Sequence, residues 1–300
     1  MGKKLRIELI LKDVIEELRS FKTAIIIFLT NIVLLVSVAS IFYSVMNSNQ
    51  NGYATNYKAV LYMYNNLILM EFIAILIITP IIAGASYAKE YRQGTMELLL
   101  LSKLTTMDIL LSKIFKSVII NLFLGVTALP FLSVVFSVGG VTLWDLSKFF
   151  IVIVATTMLF GSIGTYFSVK FKSVNKAIIC TYIVELATSF GAQVILNIVY
   201  KICDKIKNRA YYSGRVGAEY DKVQFDALGN LLLGSPIFNL FKLQSDIVGN
   251  TSKFDTTMNN FGINPIIDKI WLFISICIQL VIVFFVVKKT KKIMYNRHYK

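Results

Sequence analysis

The sequence predicts an all-α integral membrane protein with six transmembrane helices. Apolar residues make up 56% of the 300-residue chain and charged residues only 16%, whereas soluble domains average roughly 45–50% and 25%. Six segments are apolar over the ~20 residues that an α-helix needs to cross a bilayer. They are 24–46, 66–88, 114–138, 149–169, 177–200 and 270–287. Helices are expected because lipid offers no hydrogen-bond partner to an open strand.

The composition also excludes several function classes. His298 is the sole histidine of the sequence, which excludes a zinc-protease helix and a histidine metal cluster. No P-loop pattern occurs, so the chain is not expected to bind ATP by that device. Cys180, Cys203 and Cys277 lack metal-ligand spacing and are expected to be buried apolar thiols. We therefore expect no catalytic residue, no metal site and no cofactor bound by this chain.

The positive charge follows the predicted topology. The net charge is +14, and most Lys and Arg residues lie at 3–22, 89–116, 170–176 and 288–300. The short loops on the other side contain only Lys58 and Lys148. Because cytoplasmic loops carry an excess of Lys and Arg, both termini are expected in the cytoplasm of a multi-pass plasma-membrane protein. The charge then reflects topology, and no nucleic-acid partner is expected.

The chain divides into four predicted regions. Residues 1–23 form an amphipathic helix that is expected to lie in the cytoplasmic interface, or else serve only as a positively charged anchor. Residues 24–200 hold five transmembrane helices, 201–269 an extracytoplasmic insert, and 270–300 the sixth helix with a basic cytoplasmic tail. The apolar centre of the insert is too short and broken to span, so it is expected to re-enter the membrane or cap the bundle.

The cytoplasmic loop at 89–113 has a pattern of helix end, short helix, turn and new helix. Gly94 can end the second span in the left-handed conformation, and Thr95 can cap the short helix after it. Residues 96–101 predict this short helix, whose apolar side can lie on the membrane or on another protein. Thr105 and Asp108 have capping-box spacing before an apolar run, which predicts that a new helix begins there.

These residues also resemble a known family. The loop reads Glu90-Tyr-Arg-Gln-Gly94-Thr95-Met-Glu97-Leu98-Leu99, then Ser102-Lys103-Leu104-Thr105, and then Asp108-Ile-Leu-Leu-Ser-Lys113. It resembles the signature of the ABC type-2 transport permeases, which runs Glu, Gly-Thr-Leu-Glu, a leucine pair, Thr-Pro-Leu-Ser and a Lys that opens the third span. Lys103 stands where that family usually has proline, so the turn is made here without it.

The resemblance implies a transport subunit with no catalysis of its own. In that family two six-span halves form the pathway, and separate cytoplasmic ATPase subunits, which bind ATP and Mg²⁺, dock at this loop. It implies a dimer with an identical or homologous half, in contact with membrane lipids, that exports an amphiphilic or peptide-like substrate. By the same resemblance, coupling to the ATPase would use Glu90, Gly94, Thr95, Glu97, Leu98 and Leu104. The alternative is that these residues are ordinary caps and a solvated turn.

Acidic and polar residues inside the predicted spans are a second candidate site. Glu185 lies near the middle of the fifth span, and Ser189 and Gln193 follow it at steps of four, while Glu71 lies nearer the outer end of the second span. An ionisable group at the bilayer centre costs about 2.5–3.5 kcal/mol, so it is expected to face protein or water. These residues line the pathway or the dimer seam, or they form hydrogen bonds that only hold the bundle together.

Two other functions are compatible with the sequence. One is an immunity or sensing ABC permease that meets an antimicrobial peptide through the insert. The other is a secondary transporter or membrane scaffold that works without an ATPase. Copurification of an ATPase would separate the ABC functions from the last one.

Overall fold

The computed structural model describes residues 2–48, 57–95, 105–138, 141–213, 228–248 and 264–298, together with 223, 225, 254, 257 and 260–262. These residues are largely helical, and no strand occurs among them. In chain order the helices are α1 (Gly2–Leu18), α2 (Phe21–Ser48), α3 (Tyr57–Gln93), α4 (Thr106–Thr127), α5 (Leu129–Val138), α6 (Leu143–Phe171), α7 (Val174–Leu186), α8 (Ala192–Lys207), α9 (Arg209–Tyr212), α10 (Pro236–Val248), α11 (Pro265–Lys269) and α12 (Trp271–His298).

The six predicted membrane spans are confirmed. Within the described residues, 6 helical stretches are long and apolar enough to cross a membrane. They are Phe21–Ser40, Leu61–Gln93, Thr106–Thr127, Leu143–Phe171, Val174–Lys207 and Trp271–Asn296. The all-α fold class follows from these stretches, and several of their ends differ from the predicted ones.

The third span begins earlier and ends earlier than 114–138. It begins at the predicted capping box, in which Asp108 N–H donates to Thr105 Oγ1 and the Asp108 carboxylate accepts from Thr105 N–H and from its hydroxyl at 2.8 Å. The helix stops at Thr127, and Pro130 lies in the first turn of α5. Proline lacks an N–H and is tolerated in the first turn of a helix but not in its interior, so one apolar run becomes two helices.

The fourth span also begins with a capping box, which was not predicted from the sequence. Thr142 Oγ1 donates to Asp145 at 2.7 Å and accepts from the Asp145 N–H at 3.3 Å. The helix therefore begins at Leu143, ahead of the predicted start at residue 149. The Thr-x-x-Asp spacing that identified Thr105 is present here too, so the signal was available in the sequence.

The fifth span contains a wider turn. It is α-helical over Val174–Leu186, π-helical over Ala187–Gly191, and α-helical again over Ala192–Lys207. Short π segments are rare inside α-helices and are frequently found at functional sites. The helix continues beyond residue 200, so the predicted start of the insert at 201 falls within a helix.

The described chain forms two compact units. One comprises Met1–Glu185 with Gln279–Lys300, and the other comprises Leu186–Ile278, so the boundaries fall inside the fifth and sixth spans. In the first unit, α3 packs against both α4 and α6. Its core includes the fully buried side chains of Tyr64, Phe72, Phe149 and Phe160.

The second unit is held together by aromatic and ionic contacts. Tyr200, Phe225 and Phe261 form one ring cluster. Lys242 Nζ lies 2.7 Å from Asp268 Oδ1 and 3.2 Å from Asp246 Oδ1. Burial lowers the pKa of Lys242, but its bonds to these two carboxylates raise it more, so the pKa lies above its ordinary value. At 13 residues, α10 is shorter than the ~20 needed to span; whether this part re-enters the membrane stays a prediction.

The cysteine prediction was wrong. Cys180 and Cys203 are half-buried and Cys277 is exposed. All three lie in the helical stretches that are able to span a membrane, Val174–Lys207 and Trp271–Asn296. An apolar thiol suits a lipid-facing position as well as a packed one, so hydrophobicity alone could not distinguish the two.

Close contact between α3 and α6 depends on one glycine and one serine. A Cβ at Gly164 would lie 2.6 Å from the Ala83 Cβ, which is closer than real Cβ atoms approach one another. One turn later, Ser168 Oγ accepts from the N–H groups of Tyr87 and Ala88 at 3.0 and 2.9 Å. Small residues let transmembrane helices approach closely enough for such bonds.

We expect Gly164→Ala to destabilise the bundle by about 1–3 kcal/mol, because the added methyl group forces α3 and α6 apart. Gly161→Ala is the matched control on the same helix, since its Cβ would meet Ser117 at an ordinary 3.6 Å. The measurement is unfolding of the purified chain by SDS in mixed micelles. Equal stability of the two variants would contradict a special role for the Gly164 contact.

Candidate functional site

Three helices meet around one buried lysine. Lys113 projects from the second turn of α4, where its Nζ lies 2.7 Å from Asp13 Oδ2 of α1 and also donates to Glu90 Oε1 near the end of α3. The Lys113 side chain is 3% exposed, and those of Asp13 and Glu90 are 9% and 15% exposed. The cluster therefore joins the N-terminal helix to both helices that flank the loop at 89–113.

The charges of this cluster depend on one another. An ammonium group removed from water loses its hydration, and only nearby opposite charges with good geometry can compensate. Here two carboxylates face one ammonium group, so Lys113 holds two acidic side chains that would otherwise repel each other. Removing Lys113 would leave both acids buried without their common partner.

A second ion pair extends the contact along the same helices. Lys116 Nζ lies 2.6 Å from Glu17 Oε2. Asp13 and Glu17 are four residues apart and Lys113 and Lys116 three apart, so each pair shares one helix face. This match was not predicted from the sequence. The sequence does contain a signal for these ion pairs. Asp13 and Glu17 are acids in a basic segment, and Lys113 and Lys116 are lysines at helical spacing near the start of an apolar span.

The other face of α1 is apolar and exposed. Ile7, Leu11 and Ile15 follow one another at steps of four, and each is more than half exposed. The helix is thus amphipathic, with Asp13 and Glu17 bonded to lysines of α4 and an uncovered apolar stripe on the other side. That this stripe lies in the membrane interface stays a prediction.

The first end of the 89–113 loop has the predicted geometry in part. Gly94 adopts the left-handed conformation with φ of 70°, and it closes α3 through its N–H, which donates to the Tyr91 carbonyl at 3.3 Å. The Thr95 hydroxyl donates back to the Glu90 carbonyl at 3.3 Å, so it caps the end of α3. Its predicted role at the start of the next helix concerns residues outside the described part.

The remaining coupling residues cannot be placed. Glu97, Leu98 and Leu104, and the predicted short helix at 96–101, lie outside the described residues. Among the predicted coupling residues, the structure therefore positions Glu90, Gly94 and Thr95. Of these, Glu90 is in the Lys113 cluster, whereas Gly94 and Thr95 are exposed.

The second end of the loop is anchored by apolar packing. Ile109 and Leu110, which come directly after the capping box, are fully buried in a cluster with Tyr87 of α3, Val169 of α6 and Met294 of α12. The Tyr87 hydroxyl also donates to the Met294 sulfur at 2.8 Å. Three helices, α3, α6 and α12, therefore converge on the start of α4.

The polar residues of the fifth span differ in their burial. Glu185 and Ser189 are buried at 2% and 1% exposure, and Gln193 is half-buried. Ser189 lies in the π segment, and its carbonyl accepts from the Ser235 hydroxyl at 2.6 Å. Polar residues at further steps of four are not buried: Asn197, four residues after Gln193, is exposed. This follows because residues four apart rotate gradually around a helix with 3.6 residues per turn.

Glu71 occupies a different place from Glu185. It is 2% exposed, and neither carboxylate oxygen has a hydrogen-bond partner among the described residues. Its surroundings are apolar side chains, among them Leu34 of α2, Leu132 of α5 and Phe149 of α6. The structure therefore provides no support for combining Glu71 and Glu185 in one site.

We expect Lys113→Met to cost about 3–5 kcal/mol of stability, because it leaves Asp13 and Glu90 buried without a counter-charge. Lys116→Met is the matched control: its partner Glu17 is 24% exposed, so water can replace the pair and the loss is about 1 kcal/mol or less. SDS unfolding of both variants tests this. Adding Asp13→Asn and Glu90→Gln to Lys113→Met should restore stability, and failure to do so would contradict the assigned cause.

Comparison with known proteins agrees with the loop pattern. The family model described as ABC-2 family transporter protein matches residues 7–289. A comparison with curated proteins gave no match. Because the family match covers nearly the whole chain and six helices are able to span a membrane, the chain belongs to the ABC-2 transporter family and is a multi-pass membrane permease component of an ABC transporter.

Proposed function

We propose that this chain is the membrane-spanning half of an ATP-driven exporter, coupled through residues 89–113 to a separate ATPase subunit. Two such halves, identical or homologous, form the pathway. The ATPase subunits bind ATP and Mg²⁺, and the chain itself binds neither. Both termini and the 89–113 loop face the cytoplasm of the plasma membrane, and the cargo is amphiphilic or peptide-like.

The observation that carries the proposal is the attachment of both flanks of the loop. The flank on α3 is tied to α4 and α1 by Glu90 and Lys113. The flank on α4 is fixed by the Thr105–Asp108 capping box and by the burial of Ile109. A force applied to a loop with loose ends would be absorbed locally. Here a displacement of the loop must move α1, α3 and α4, and coupling requires such a transmitted movement.

The charges at this end of the bundle support the orientation. The basic residues at 89–116 and 288–300 follow the rule that cytoplasmic segments are rich in Lys and Arg. An ABC ATPase would meet the chain on that side. The family itself supports a partnership with an ABC ATPase and a paired permease.

We expect the tagged chain, purified in mild detergent from the membranes of its own host, to carry a soluble subunit with a P-loop in stoichiometric amount. Mass spectrometry of the purified complex identifies it. A folded, monodisperse preparation that repeatedly lacks such a subunit would contradict the proposal and favour a secondary transporter or a scaffold. Loss of peptide resistance in a deletion strain, without export of other amphiphiles, would favour the immunity function.

We expect Glu97→Lys to leave the protein folded and inserted but to lower transport by about tenfold per ATP hydrolysed, because it reverses a charge on the proposed ATPase-docking segment. The measurement is ATP hydrolysis and transport in the same proteoliposomes. Glu16→Lys is the matched control, since Glu16 is 61% exposed and only 3.7 Å from an exposed Lys89. Transport by Glu97→Lys at the level of Glu16→Lys would remove Glu97 from the coupling residues.

A further inference from the structure

Two lysines from different helices lie beside one aromatic ring at one end of the bundle. Lys170 Nζ, near the end of α6, lies 5.9 Å from the centre of the Tyr166 ring, and Lys289 Nζ of α12 lies 5.5 Å from the same centre. Both lysines are exposed, and Tyr166 is half-buried. These three residues are called the Tyr166 patch below.

The packing of α12 against α6 brings the two lysines together. Val283 and Val286 of α12 pack on a buried cluster that includes Phe160 of α6. Further along the same helix, Met294 is fully buried in a cluster with Val169 of α6. These contacts lie on either side of the lysine of α12, so buried side chains determine its place beside α6.

The positive charge of the Tyr166 patch has no acidic counterpart in its own segments. Neither 146–184 nor 269–300 contains an Asp or a Glu. The face of an aromatic ring attracts an ammonium group but carries no net charge, and two ammonium groups beside one ring repel each other. Lys113 differs, because two carboxylates are bonded to it. The group that complements the patch is therefore an anion.

The patch lies where α12 leaves the apolar part of its span. The apolar run ends at Val287, and Lys288 and Lys289 follow directly. Val281 and Phe285 precede Lys289 at steps of four, so the three side chains share one face of the helix, and both apolar residues are more than half exposed. In a membrane this face has hydrocarbon chains against its apolar part and lipid phosphates at the depth of its lysine.

We propose that the Tyr166 patch binds the headgroup of an anionic phospholipid, with Lys170 and Lys289 at the phosphate and an acyl chain along Val281 and Phe285. The charge of the patch and its depth both support this occupant, and basic pockets between transmembrane helices are known to bind anionic headgroups. A soluble anion would use the lysines but not the apolar face that continues from them. The proposal goes beyond the export function, since it requires only that the chain spans a membrane.

The test is photolabelling of the full-length chain in phosphatidylcholine nanodiscs that contain a small fraction of phosphatidylglycerol with a diazirine in one acyl chain. Phosphatidylcholine with the same labelled chain is the reference lipid, and mass spectrometry of proteolytic fragments measures the labelling of α12. We expect phosphatidylglycerol to label α12 about tenfold more than phosphatidylcholine does, because it has a net negative charge. High salt should reduce this preference, since it screens the attraction.

Single charge removals test which lysines are responsible. Lys170→Gln and Lys289→Gln should each lower the labelling of α12 by phosphatidylglycerol by about fivefold, because each removes one cation near the headgroup. Lys201→Gln is the matched control: it removes the same charge from an exposed position on α8. It should leave the labelling of α12 unchanged.

Three results would overturn the proposal. The first is equal labelling of α12 by the two lipids, which is measured on the unmodified chain and so does not depend on the folding of a variant. The second is a loss in Lys201→Gln as large as that in Lys289→Gln, which would indicate attraction by net charge alone. The third is competition by soluble glycerol 3-phosphate as effective as that by unlabelled phosphatidylglycerol, which would indicate a site for soluble phosphates. None of these results depends on whether an ATPase copurifies.

Discussion

Lys113 is the residue on which the organisation of this end of the bundle depends. A single ammonium group, almost fully removed from water, neutralises acids from α1 and α3 while itself belonging to α4. Because a buried charge without a partner is costly, these bonds stabilise the arrangement in which α1, α3 and α4 meet. Lys113 thereby links the N-terminal helix to both helices that flank the loop at 89–113.

The capping box and the apolar cluster also hold the start of α4 in place, in addition to the ion pairs of Lys113. Asp108 and Thr105 fix where α4 starts, and Ile109 then enters a core shared with α3, α6 and α12. Polar and apolar contacts thus act on successive turns of one helix. The two flanks of the loop are attached to the bundle by specific bonds. Most of the surface of α2, by contrast, is exposed.

Sequence patterns predicted the fold well and the site only in part. Hydropathy located the spans because lipid selects long apolar helices, and the spacing of Thr105 and Asp108 located a helix start because capping is local. The Asp13–Lys113 contact joins residues about a hundred positions apart, and no local rule identifies such partners. The end of the third span was misplaced because an apolar run conceals a break that only Pro130 signals.

The contact of Gly164 with Ala83 has a mechanical consequence. Helices held backbone to backbone, with Ser168 bonded to two N–H groups of its neighbour, cannot slide or tilt against each other without losing those bonds. We therefore expect α3 and α6 to move together as one rigid unit. We expect any rearrangement of the bundle to occur at the borders of this pair and not within it.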